Sequence, residues 1–152
     1  SYISRMFADF LKRLTGPDPS PLPDSDARLA LAALMVRIAR SDGDYAPQEI
    51  HQIDKILHAR YALHAEAVLV LRREAEVLET EAPDTVRFTR AIKDAVPYED
   101  RESVVEALWT VVLADGERDY HEDAQLRLLA SLLGVSDRSS SFARQRAEKK
   151  RG

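Results

Sequence analysis

One short acidic pattern occurs twice in this chain of 152 residues, and it limits the folds open to it. Asp42-Gly43-Asp44 is followed by Glu49, and Asp115-Gly116-Glu117 by Glu122; in both copies the Glu stands seven residues after the first Asp. Each copy follows an apolar run, Leu34 to Ala39 or Leu108 to Leu113. Each precedes another, with Ile50, Ile53, Ile56 and Leu57 in the first case and Leu126, Leu128, Leu129 and Leu132 in the second. Apolar residues at three- and four-residue intervals mark one face of a helix. The repeated unit is therefore helix, acidic turn, helix. At the offset of 73 residues, Met35 matches Leu108, Val36 matches Trp109, Ile38 matches Val111, Ile53 matches Leu126 and Ile56 matches Leu129. The pattern predicts an all-α helical bundle of about seven helices, built on two pseudo-repeated helix–acidic turn–helix hairpins.

Most of the turn chemistry follows from helix ends. Gly43 and Gly116 stand just past a helical run, where a left-handed residue costs glycine little. Asp119 reads as an N-cap with Glu122 at the third helical position, a capping box. In the first copy Ala46 takes the cap position, Pro47 suits the first turn, and Glu49 falls where Glu122 does. Capping does not explain Asp42 and Asp115. A carboxylate near a helix C-terminus faces the negative end of the macrodipole, at a cost of a few tenths of a kcal/mol or more.

Composition excludes several classes. Cysteine is absent, which removes disulfides, thiolate zinc sites and thiol nucleophiles. No apolar run approaches the ~20 residues that span a bilayer, and no signal peptide is visible, so a cytoplasmic location is expected. The net charge is −4, but Arg138, Arg144, Arg146, Lys149, Lys150 and Arg151 crowd the C-terminal stretch 138–152 against Glu148 alone. An acidic body with a short basic end and no accompanying aromatic face is not a nucleic-acid footprint. The stretch reads as a solvated, fraying terminus.

Residues 1–14 form an amphipathic stretch: Ile3, Met6, Phe7, Phe10, Leu11 and Leu14 fall on one helical face, with Arg5, Asp9, Lys12 and Arg13 elsewhere. Such a stripe docks on the core, or on a membrane surface, where it would make the protein membrane-peripheral. Residues 15–25, with Pro17, Pro19, Pro21 and Pro23, are an extended linker. The main domain, 26–137, is expected to hold helices at about 26–41, 47–61, 64–80, 84–96, 99–114 and 120–133. Gly134 should close the last of these, and Ser136 or Asp137 should cap a final helix anchored by Phe142. Ile38, Ile53, Ile56, Leu108, Trp109, Val112, Leu129 and Leu132 are the expected core. His51, Asp54 and His58 share a second face of the helix at 47–61, a weak metal-ligand pattern that more often marks a solvated surface.

Leu113-Ala114-Asp115-Gly116 with Glu122, closing on Leu132-Leu133-Gly134-Val135-Ser136, resembles the bacterial tellurite-resistance TerB-like family. Ser41-Asp42-Gly43 with Glu49 resembles the first copy of that family's motif, with Ser41 in place of the usual Ala and Asp44 as an extra acid. The resemblance implies an all-helical fold with its acidic turns clustered on the surface. It also implies a role in tellurite and other stress responses, often near membranes, with metal sensing suggested and no defined reaction. A related helical region occurs in membrane-anchored J-domain co-chaperones, but this chain lacks their His-Pro-Asp tripeptide.

The expected function is a non-enzymatic binding or stress-response module. It would take a divalent cation, calcium or magnesium, on Asp42, Asp44, Glu49, Asp115, Glu117 and Glu122. Hard cations need several oxygen ligands at one point, which two turns together can supply. The spacing is not that of an EF-hand. The rival expectation is a scaffold or protein-interaction domain whose acidic turns only cap helices. A metal-dependent hydrolase is disfavoured: the chain has no Glu-x-x-His pair, phosphate loop or nucleophile motif.

Overall fold

The structure, a computed structural model, describes residues 24–41, 45–81, 85–115 and 120–151. The described residues form seven α-helices and one 3₁₀ turn, with no strand among them. The helices are α1 (Asp24–Arg40), α2 (Pro47–Tyr61), α3 (Ala65–Glu81), α4 (Thr85–Ala95), α5 (Tyr98–Val112), α6 (Tyr120–Leu132) and α7 (Asp137–Arg151), with the 3₁₀ turn Leu113–Asp115 after α5. The expected all-α bundle is the observed one. The amphipathic stretch 1–14 and the linker up to residue 23 lie outside the described residues.

The central element is α1. It is apolar on all sides, and from Leu29 to Ala39 every residue but Arg37 is buried. Four of those residues are alanines (Ala30, Ala32, Ala33 and Ala39), so neighbouring backbones can approach closely on several faces at once. Helices α2 to α6 all pack against it. Of the expected core, Ile38, Ile53, Leu108, Trp109, Val112 and Leu129 are buried, while Ile56 and Leu132 are partly buried against the same cluster. The residues that match across the two hairpins are all in the core or packed on it, as a duplicated helical unit with a common buried face requires.

Helix ends follow local chemistry. Ser41 closes α1: its hydroxyl donates to the Ile38 carbonyl at 2.7 Å and its N–H to the same oxygen at 3.2 Å, satisfying an acceptor the helix end leaves open. At the end of α6, Gly134 is left-handed, with φ +77°. Its N–H reaches the Ser131 carbonyl and the Val135 N–H reaches the Ala130 carbonyl at 2.8 Å, the paired bonds of a Schellman motif. Ser136 caps α7 by accepting the Ser139 N–H on its hydroxyl at 3.1 Å. Helix α1 begins at Asp24, earlier than the expected 26. Helix α5 ends at Val112 rather than running to Ala114, because its last residues tighten into the 3₁₀ turn.

The basic C-terminal stretch is not a fraying end. It forms α7, which lies along α5. Arg146 bonds Glu102 at 3.0 Å and also Glu106, and Lys150 reaches Glu106 at 2.6 Å. Arg144 lies over the Trp109 ring, 4.8 Å from its centroid. Phe142 is not the anchor either. It is 45% exposed, and the inward face is made by Ser140, Ala143 and Ala147. Small side chains let α7 come close to α5, so acids on α5 and bases on α7 fall within pairing distance.

Candidate functional site

The first acidic turn joins α1 to α2. Ala46 is the N-cap of α2, with φ −70° and ψ 148°, and Pro47 opens the helix. Alanine offers no capping oxygen, so the helix relies on Glu49. That residue is fully buried, and its Oε1 accepts the Ala46 N–H at 3.2 Å. This is the returning half of a capping box. Its carboxylate is thus held at the start of α2, directly after the acidic turn. Asp42 and Asp44 lie outside the described residues.

A polar network holds the exit of this turn in place. The Tyr45 hydroxyl donates to Glu76 Oε2 at 2.7 Å. Burial, and then the Glu76 carboxylate beside it, push the Tyr45 phenol well above its ordinary range. Arg72 bonds the same Glu76 oxygen at 3.0 Å and Asp54 at 2.6 Å. Arg40 lies over the Tyr45 ring and reaches Glu79 at 2.8 Å. Arg37, largely buried, bonds the Glu79 carbonyl at 2.8 Å and the Thr85 hydroxyl at 3.2 Å. Its guanidinium lies over the Phe88 ring. None of the contacts between elements had a sequence signal; only the Arg72–Glu76 pair, four residues apart within α3, could be read from spacing. The face of His51, Asp54 and His58 is not a metal site, because Asp54 is engaged by Arg72 and the His58 Nδ1 donates to the Leu63 carbonyl at 2.6 Å.

The second turn joins the 3₁₀ segment to α6. Asp115 is the last residue of the 3₁₀ turn, and Glu122 is the third residue of α6, the position expected for a capping-box acid. Glu117 and the side chains of Asp115 and Glu122 lie outside the described residues. Of the six expected ligands, only the Glu49 side chain is therefore placed. No group of three His, Cys, Asp or Glu that could hold a metal occurs among the described residues.

The described elements place part of α2 beside the entry to the second turn. Helix α2 packs against the 3₁₀ turn. Gln52, one helical turn after Glu49, and Ala114, the residue before Asp115, line one cleft of about 580 Å³. The six expected ligands are all carboxylates, and no Cys occurs in the chain. That chemistry fits a hard cation such as calcium or magnesium better than zinc. No helix among the described residues is long and apolar enough to cross a membrane.

An all-helical module of two hairpins, each turning through an acidic loop, is a class of fold with a name. The family model described as tellurite resistance protein TerB matches residues 28–145, and the chain belongs to that family. The match runs through both acidic turns and well into α7. No curated protein and no solved structure matches the chain.

Proposed function

We propose that this chain is a non-enzymatic binding module in tellurite-related stress response, working through a divalent cation, calcium or magnesium, held between its two acidic turns. The observation that supports this most is the shared cleft of Gln52 and Ala114, which sets the second turn of helix α2 beside the entry to the second acidic turn. Two turns close together can pool the oxygen ligands that one lacks. Binding would also account for Asp42 and Asp115, which no cap requires. The competing scaffold reading draws support from the Glu49–Ala46 bond, since this acid has a capping task of its own.

The test is thermal unfolding with chelator, calcium or magnesium. A cation that binds only the folded state stabilises it by about 2.7 kcal/mol at a hundredfold excess over Kd. The expected result is a rise in Tm for the natural chain and little or none for the Asp42→Asn, Asp115→Asn double variant. Equal Tm values in all three solutions would remove these cations from the account and leave the scaffold reading.

A further inference from the structure

The cleft that begins at Gln52 and Ala114 continues as a groove between α2 and α5, with α7 along one side. The apolar part of its lining is mostly small, Ala59, Ala107, Ala114 and Ala147 together with Ile56 and Leu113, and it lies beside polar side chains that include the Glu106–Lys150 ion pair. A run of alanines leaves a recess that large apolar side chains can fill. We propose that the occupant is this chain's own N-terminal segment, residues 3–14, seated through its apolar stripe. Three observations select it. Along α5 and the 3₁₀ turn the groove extends from Ser103 to Ala114, and the stripe from Ile3 to Leu14 covers the same number of residues, about 16 Å as helix. The stripe is made of large residues, Phe7 and Phe10 among them, where the apolar part of the lining is mostly alanine.

The third observation is where the chain leaves the domain. Near the start of α1, Arg28 lies over the Tyr61 ring at 5.0 Å. The adjacent Arg60 bonds Ser103 at 3.1 Å, at one end of the groove. The start of α1 therefore lies near that end of the groove. The nine linker residues, 15–23, extend about 28 Å as polyproline II, enough to seat the stripe in either direction. Attachment makes the contact intramolecular, at an effective concentration near millimolar, so modest apolar burial suffices. Lys55 and Arg60 on the rim form no ion pair among the described residues, and docking leaves Arg5 and Lys12 on the opposite face of the segment, in water. The groove then needs neither the cation nor a partner to be filled.

The chain has no cysteine, so a Lys55→Cys variant of the full chain takes a single nitroxide label on the groove rim. The amide signals of residues 3–14 should lose most of their intensity, and Gln52→Cys should repeat the effect. A label at Val86→Cys, on α4, should spare them. Ala59 is exposed, so Ala59→Trp fills the groove without touching the core, and it should restore the lost signals. Undiminished signals with both rim labels, in variants whose other amides are unchanged, would overturn the proposal. Broadening seen only between molecules, in mixtures of labelled and isotope-enriched chains, would overturn it in favour of a second copy's segment. Failure of the cation experiment leaves this prediction untouched, because no acidic-turn residue takes part.

Discussion

The indole Nε1 of Trp109 donates to the Ser140 hydroxyl across 3.1 Å, and both residues are buried. This bond joins the C-terminal part of α5 to the N-terminal part of α7, under the Arg144 guanidinium. Ser140→Ala leaves the indole N–H without that acceptor, which should cost about 1–3 kcal/mol. The second member of a cycle, Trp109→Phe, should make the serine substitution far less costly. Urea unfolding of the four proteins measures this, and additive effects would show that the bond carries no coupling.

Glu106 carries the ion pairs that hold the end of α7. Burial alone would raise its pKa, but the hydrogen bonds from Lys150 and Arg146 outweigh it and hold the carboxyl below the ordinary glutamate range. A depressed folded value means that the pairs stabilise the fold above the ordinary glutamate pKa of about 4.3. That contribution is lost as pH falls through the lowered value. Unfolding followed across acid pH should show a smaller drop in stability for Glu106→Gln than for the natural chain. Parallel profiles would contradict this assignment.

Two helix ends use the left-handed conformation with opposite residues. Ala62, after α2, has φ +52°, and Gly134, after α6, has φ +77°. The methyl of Ala62 is strained there, so Ala62→Gly should raise stability by up to about 1 kcal/mol, net of glycine's greater unfolded entropy. Gly134→Ala should lower it by about 1 kcal/mol. A Cβ at 134 would meet its nearest atoms at 3.5 Å or more, so the cost is conformational and not a clash. Chemical denaturation should give the two changes opposite signs.

Glu49 separates capping from cation binding. Glu49→Gln keeps an amide oxygen that can accept the Ala46 N–H while removing the charge. A Tm close to that of the natural chain in chelator is expected, because the cap survives. With calcium or magnesium present, the cation-dependent rise should shrink. A variant that keeps the full rise would take Glu49 out of the ligand set.

The sequence by itself determined the helices and their ends. The 3.6-residue apolar period and the chemistry of Ala46-Pro47, Gly134 and Ser136 act within a few residues, and α2 is found at the expected 47–61. The central place of α1 was legible for the same reason, since a helix apolar on every side has no face for water. Only the tertiary structure decided how the helices cross and which distant side chains meet. Phe142 looked like the anchor of α7 because hydrophobicity singles out the largest apolar residue. Close helix packing instead chose Ala143 and Ala147, which bring Arg146 and Lys150 against acids some forty residues away. The same holds for Gln52 and Ala114. Their shared cleft depends on how α2 lies against the 3₁₀ turn, a geometry set by packing between segments that no local pattern encodes.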